Sequence, residues 1–316
     1  MLTRTLTPED QPALEGLLGR EPQHNVFHLS ALREHGMYGP GREDGAWAVG
    51  AFRDGELAGI VTALRGTGGL YHAPGDSESL HALSQIAQDK AKAGLLSLLS
   101  GHSSQVDPVL PMLHGVQVGP TDRCHFRILD FRFWISDYEN RESPVDDVKS
   151  KIGVPSGPLK SKIGRPRLAT SADMERLIDF YEVGFYSLAQ LPTRAAWRYR
   201  LSEQIAYRTM FLIEDAEGKV VSAAQSSAEA YGVAMLGGVA TLPEYRGRGL
   251  SVLCVGALCD YLFSKGMDSI ALFYLKDNDA AGRVYEKLGF QEAGEWLLVS
   301  LGMGALFKPL LGMSSR

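Results

Sequence analysis

The sequence lacks the patterns that mark several large protein classes. Its three cysteines, Cys124, Cys254 and Cys259, are odd in number and form no CxxC pair, so neither a disulfide framework nor a cysteine zinc site is indicated. No apolar run approaches the roughly 20 residues that a membrane-spanning helix needs. Pro8-Glu9-Asp10 interrupts the N-terminal stretch before an apolar signal core can form, so a cytoplasmic protein without a membrane partner is expected. The formal net charge of −5 offers no electrostatic attraction to nucleic acid. Histidine is absent beyond His125, and the eight up to and including it show no metal-ligand spacing, so no metal is expected.

What is present is enough apolar residue, 45% of the chain, for two buried cores in 316 residues. Composition breaks between about Asp137 and Arg167, where Asn140-Arg141-Glu142-Ser143-Pro144 is followed by Pro155, Gly157, Pro158 and Pro166. The expected domains are therefore 1–137 and 167–316, joined by a linker over 138–166. Lys-Ser-Lys-Ile-Gly occurs twice there, at 149–153 and 160–164, too short for an architectural repeat. Lys160, Lys162, Arg165 and Arg167 form a basic cluster that reads as solvated linker.

The halves open alike. Each has a short extended segment, Leu2–Leu6 or 167–170, then helix-starting residues, Thr7-Pro8-Glu9-Asp10 or Thr170-Ser171-Ala172-Asp173. Each then shows a hairpin: 47–52 with 57–64 around Arg53-Asp54-Gly55, and 209–213 with 220–226 around Asp215-Ala216-Glu217-Gly218. Two copies of one α+β domain, each a mixed sheet flanked by helices, account for this order.

Chemistry concentrates in the second half. Met235-Leu236-Gly237-Gly238-Val239-Ala240-Thr241 reads as a strand whose paired glycines mark a bulge or a close backbone approach. A basic, glycine-rich turn follows, Arg246-Gly247-Arg248-Gly249. Leu250, Leu253, Cys254, Ala257, Leu258, Tyr261 and Leu262 then recur at helical spacing up to Lys265-Gly266. A helix start leaves backbone N–H groups without intrahelical partners, and glycine lets the chain curl close to a ligand, so the turn can cradle a diphosphate. Further on, Ser269–Leu275 is an apolar strand of parallel-sheet character. Asn278-Asp279 caps a helix carrying Ala281, Val284, Tyr285 and Leu288 on one face, closed by Gly289-Phe290.

Arg246-x-x-Gly249-x-Ser251 resembles the R/Q-x-x-G-x-G/A signature of the GCN5-related N-acetyltransferases. Asn278-x-x-Ala281-x-x-x-Tyr285-x-x-x-Gly289-Phe290 is similar to that family's second acyl-coenzyme A motif, in the family's order and at its usual distance. The resemblance covers roughly 167–301; its departure is Ser251, where the family has Gly or Ala and where a hydroxyl could donate to phosphate. It implies acetyl-CoA as co-substrate, the thioester carbonyl beside Val239, Ala240 and Thr241, and the diphosphate on the amides of Arg246, Gly247, Arg248, Gly249, Leu250 and Ser251. Asn278 and Ala281 would meet the pantetheine arm, and Tyr285 would protonate the departing thiolate. The implied acceptor is an amine of a small molecule or peptide. A longer acyl or aminoacyl group, or a non-catalytic acyl-CoA sensor, are the competing readings, and a homodimer is left open. Glu229 is the candidate base, against a plain hairpin role.

The first half has no such signature. After 70–72 stand Ala73-Pro74-Gly75-Asp76-Ser77-Glu78-Ser79, whose Asp76 and Glu78 repel a diphosphate. That half is expected to be a degenerate copy that does not bind coenzyme A.

Overall fold

A computed structural model describes residues 1–36, 46–64, 67–72, 75–136, 163–184 and 193–302; most of the interval read as a linker lies outside these residues. Contacts divide the chain into two units, 1–126 with 294–309, and 127–293 with 310–316.

The first unit contains β1 (Leu2–Thr5), α1 (Gln11–Leu18), α2 (Pro22–His35), β2 (Trp47–Arg53), β3 (Glu56–Leu64), β4 (Thr67–His72), α3 (Ser77–Lys92), β5 (Leu98–His102), α4 (Ser103–Val106) and most of β6 (Val118–Asp130). Strands β1 to β4 pair antiparallel in sequence order, and β4 runs parallel to β5 through Thr67↔Leu98 and Gly68↔Leu99. The β2–β3 hairpin turns on Asp54 and Gly55, both at positive φ (50° and 86°), as a tight two-residue turn requires.

The second unit repeats that order. After the end of β6 and α5 (Phe131–Ser136) come β7 (Arg167–Leu168), α6 (Met174–Gly184), α7 (Arg194–Tyr207), β8 (Met210–Glu214), β9 (Val220–Ala230), β10 (Val233–Thr241), α8 (Leu250–Ser264), β11 (Ser269–Leu275), α9 (Asp279–Lys287) and the start of β12 (Gln291–Leu301). Strands β7 to β10 are antiparallel and β10 is parallel to β11. The sequence reading kept 167–316 together; by contacts, the described residues 294–302 belong with the first unit, where β12 pairs antiparallel with β5 from Trp296↔His102 to Ser300↔Leu98.

Each unit has its own core. Leu83, Leu96, Leu99, Leu297 and Val299 anchor the first, and Leu177, Leu212, Val255, Leu258, Ile270 and Leu272 the second, all fully buried. At about 1.5–3 kcal/mol for each large apolar side chain removed from water, such clusters outweigh any single polar contact. Helix α8 buries residues on every side, including Cys254 and Cys259, which explains why its sequence is apolar nearly throughout. Burial pushes both thiols upward from their ordinary pKa, so they are inert packing groups.

The two helix entries share a polar device. Arg4 grips Asp10 through two bonds of 2.6 Å, and Asp10 Oδ2 accepts from the Thr7 amide at 2.8 Å. Arg167 grips Asp173 at 2.7 and 2.9 Å, and Asp173 Oδ2 accepts from the Thr170 amide at 2.8 Å. Arg167 also pairs with Glu214, so this member of the basic cluster is an ion-pair anchor and not solvated linker. The guanidinium of Arg167 holds the Asp173 carboxyl well below its ordinary pKa, with the Thr170 amide adding to the effect. A carboxylate depressed in the folded state contributes fully above its unfolded value of about 3.9, and that contribution is lost as pH falls through the depressed value. Asp173→Asn is therefore expected to lower unfolding stability by roughly 2 kcal/mol at pH 7, discounted for the part-exposed arginines, and by only modestly less at pH 3, which lies below the unfolded value but still above the depressed one. Urea midpoints at the two pH values check this; a deficit that vanishes at pH 3 would contradict it.

Candidate functional site

The site begins where two parallel strands separate. Strand β10 pairs with β11 through Val233↔Ser269, Ala234↔Ile270 and Met235↔Ala271, and no register follows beyond Met235. On its other side β10 stays paired with β9, but the register slips between Met235 and Leu236 and again between Gly237 and Ala240. The second slip is a bulge, in which Gly238 and Val239 face one β9 residue. Gly238 adopts φ +59°, and a Cβ there would lie 2.8 Å from Gln225 Nε2, so the position requires glycine for both conformation and space. Gln225 is 6% exposed and its Oε1 has no hydrogen-bond partner. From the opposite side, the Tyr181 hydroxyl donates to the Gly238 carbonyl at 3.2 Å.

At its end β10 meets the turn into α8. Gly247 and Gly249 both take left-handed φ, +75° and +77°, and Gly249 caps the helix, directly followed by buried Leu250. The first amides of α8 have no carbonyl one turn back to bond, which makes this an anion-binding end. Arg246 Nε bonds back to the Thr241 carbonyl at 3.2 Å; Arg248 bonds the Glu244 carbonyl at 3.0 Å with its guanidinium over Tyr245. Both arginines are anchored beside the turn and remain exposed.

Three hydroxyls tie the turn to the sheet. Ser222 Oγ donates to the Ala240 carbonyl at 3.1 Å, lies 2.9 Å from Thr241 Oγ1, and Thr241 Oγ1 lies 2.8 Å from Ser251 Oγ. Each hydroxyl has one proton. Ser222 spends its proton on Ala240, so Thr241 donates to Ser222 and Ser251 donates to Thr241. Ser251 thereby holds α8 to β10, and in this arrangement an anion would be met by backbone amides instead of its hydroxyl.

Asn278 caps α9, its Oδ1 accepting from the Ala281 amide at 3.1 Å. Ala281 packs on the core that also receives Val239 and Ala240 and that includes Tyr285 and Leu250. Tyr285 is buried, with its ring 5.3 Å from Tyr274 and 5.7 Å from Phe290. Burial, then Tyr274 and Cys259, push its phenol above the ordinary value, so it stays protonated at neutral pH. One core thus gathers Val239, Ala240, Leu250, Ala281 and Tyr285, with Thr241 and Ser251 bonded beside it. Glu229 lies elsewhere along the strand, opposite Ala234 in the paired part of β10; its Oε1 accepts from the Thr209 amide at 2.9 Å and from the Ser226 hydroxyl.

In the first unit the corresponding helix start is occupied from within. Asp76 caps α3 by accepting from the Ser79 amide at 3.0 Å, Arg53 pairs with Asp76, and Glu78 binds the N-terminal ammonium at 3.1 Å. A carboxylate thus sits where a diphosphate would need amides. The strands β4 and β5 also part after two pairs, but the space beside Gly69 is taken by His28, whose Nε2 would lie 2.8 Å from a Cβ on that glycine.

Sequence reasoning missed Tyr181, whose helical context carries no motif, and did not assign Gln225 a place in the bulge. It also missed Arg4 and Arg167, although each stands six residues before its aspartate, Asp10 and Asp173, in both halves.

Comparison with known proteins gives matching results. Residues 174–290 match the model of the Acetyltransferase (GNAT) family. An acetyltransferase of Sodalis glossinidius (strain morsitans) is 33% identical over 91 residues, 28% of this chain; the chain spans 63% of that relative's length. Among solved structures, a tandem GNAT protein from the clavulanic acid biosynthesis pathway covers 100% of this chain and is itself covered to 99%, with TM-score 0.63 and 15% identity. A GCN5-related N-acetyltransferase from Sphaerobacter thermophilus is covered to 94% and covers 94% of this chain, with TM-score 0.60 and 16% identity. At those identities the structures establish fold alone. Residues 174–290 therefore match the acetyltransferase (GNAT) family, and the chain has the mixed-sheet fold of tandem GNAT proteins.

Proposed function

We propose that the second unit moves an acetyl group from acetyl-CoA to a primary amine of a small molecule or peptide, by direct attack in a ternary complex. The observation that carries this reading is the parting of β10 from β11 at Met235, on the strand that leads into a left-handed glycine turn at the start of α8. The parted strand supplies backbone groups to a thioester, and the turn supplies amides to a diphosphate. The sequence motifs on both elements, and the family match across them, support it.

The amine nitrogen attacks the thioester carbonyl carbon, and negative charge gathers on the carbonyl oxygen beside the Val239 amide. The C–S bond then breaks. Tyr285 gives its proton to the thiolate, and the amine's proton passes to a base. Holding both reactants in one cleft supplies most of the rate, because no covalent enzyme intermediate is formed. The raised pKa of Tyr285 suits an acid that must hold its proton until the thiolate leaves.

Acetylation of a panel of amines, followed by thiol release, tests the reading. Tyr285→Phe is expected to lower kcat by about 10- to 100-fold while coenzyme A still binds, and Tyr285 adds no alkaline limb to the wild-type profile below about pH 10. If coenzyme A binds and no amine is acetylated, the sensor reading replaces the enzyme.

Glu229 is the proposed proton acceptor, and Glu229→Gln decides its role. As base, its loss lowers kcat/KM at least about tenfold while the fold keeps its stability. If Glu229 only braces Thr209 and Ser226, the variant loses thermal stability and keeps its turnover.

A further inference from the structure

We infer that Tyr181 is a positioning residue for the acyl transfer: by holding the Gly238 carbonyl it turns the Val239 N–H toward the acyl oxygen. The inference rests on acetyl-CoA binding as proposed above and adds the side chain that sets the donor's direction.

Several observations converge on it. A trans peptide carries its C=O and the following N–H on opposite edges, and the described chain has no cis peptide. The Tyr181 hydroxyl, on α6, donates to the Gly238 carbonyl at 3.2 Å. The Val239 N–H of the same peptide unit must then point away from α6. Val239 falls inside the register slip between Gly237 and Ala240, so it has no Cα partner in β9, and β11 has already parted from β10. Neither neighbouring strand pairs with this peptide in register. In ordinary sheet the ladder would fix its orientation; here a side chain from a helix does.

Tyr181 is built for a fixed aim. Its ring is 2% exposed, stacked on Trp197 of α7 at 5.7 Å and 13°, and edge-on to Phe180 at 5.0 Å. The Gln225 amide occupies the volume a side chain at 238 would need, and its Oε1 is buried without a hydrogen-bond partner. The peptide between Gly238 and Val239 is thus fixed by Tyr181 and crowded by Gln225. A donor fixed before reaction does not have to reorganise as charge develops, and this is what makes such a donor effective.

The test needs no knowledge of the acceptor. Acetyl-CoA labelled with carbon-13 at its carbonyl is bound to wild-type protein and to Tyr181→Phe, which keeps the stacked ring and loses the hydroxyl, and the thioester carbonyl stretch is read by infrared difference spectroscopy. Wild type is expected to shift the band to lower wavenumber than free acetyl-CoA. Tyr181→Phe is expected to bind with near wild-type affinity, to keep the aromatic circular dichroism of the Tyr181–Trp197 pair, and to lose the shift. Turnover with any accepted amine should fall about tenfold in kcat with little change in KM for acetyl-CoA, less than the roughly 10²- to 10³-fold cost of losing a donor outright. A full shift retained in Tyr181→Phe overturns the inference and leaves the acetyl-CoA reading standing. Failure of the wild-type protein to bind acetyl-CoA removes both. Gly238→Ala, which forces a Cβ against Gln225, is the second variant: it should lose the shift while Tyr181 is intact, and an unchanged band there also contradicts the inference.

Discussion

Strands β10 and β11 share a ladder only at Val233, Ala234 and Met235, so beyond that point the edge of β10 that faced β11 lacks a strand partner, while β9 continues to pair on the other side. Backbone polar groups left unpaired in a protein interior are costly, so such a gap persists where side chains, solvent or a ligand fill it. Here the chain answers in three ways. Tyr181 takes the Gly238 carbonyl, Ser222 takes the Ala240 carbonyl, and Arg246 takes the Thr241 carbonyl. These carbonyls are satisfied by named side chains, and Val239 lies in the bulge, the place the proposed function gives to the thioester oxygen. The bulge, the glycine pair and the buried Gln225 are consequences of keeping that gap open.

The same fold in the first unit shows what happens when the gap is given up. Strands β4 and β5 also part early, yet His28 fills the space beside Gly69, and its burial pushes the imidazole down to about 4, so it packs there as a neutral ring. At the helix that follows, Asp76 supplies its own carboxylate as cap, and Arg53 neutralises it. An α3 start satisfied in this way has no use for an anion. One duplicated architecture thus holds an open, amide-lined end in one unit and a self-satisfied end in the other. The difference lies in a few residues at equivalent places.

Much of this was readable in the sequence, for physical reasons that differ from element to element. The β11 span and the α9 cap at Asn278 stood out because an apolar run bounded by polar residues and an N-cap with its helical stripe are local signals. The paired glycines at 237 and 238 announced a bulge and those at 247 and 249 a tight helix entry; Gly238, Gly247 and Gly249 take left-handed backbones that few other residues tolerate. The division by contacts was not readable. The apolar run at the end of β12 cannot say that residues from Trp296 pair with β5, because pairing between distant segments leaves no mark in either one. Tyr181 was invisible for the same reason: on α6 it looks like one more apolar-stripe residue, and its partner is a backbone carbonyl 57 residues away. The Ser251 hydroxyl was given a phosphate to bond before the neighbouring hydroxyls could be counted, and proton bookkeeping along Ser222, Thr241 and Ser251 changes its role to a tie between helix and strand.

The central claim is that the left-handed turn at Gly247 and Gly249 grips a diphosphate on the amides that open α8. Calorimetric titration of the full chain with coenzyme A and, separately, with pantetheine isolates that grip, because pantetheine keeps the thiol arm and lacks the diphosphate. The account predicts saturable heat with coenzyme A and affinity for pantetheine lower by roughly 100-fold or more, as expected when several charge-assisted hydrogen bonds are lost. Equal affinity for the two, or no binding of coenzyme A by the folded protein, would contradict it.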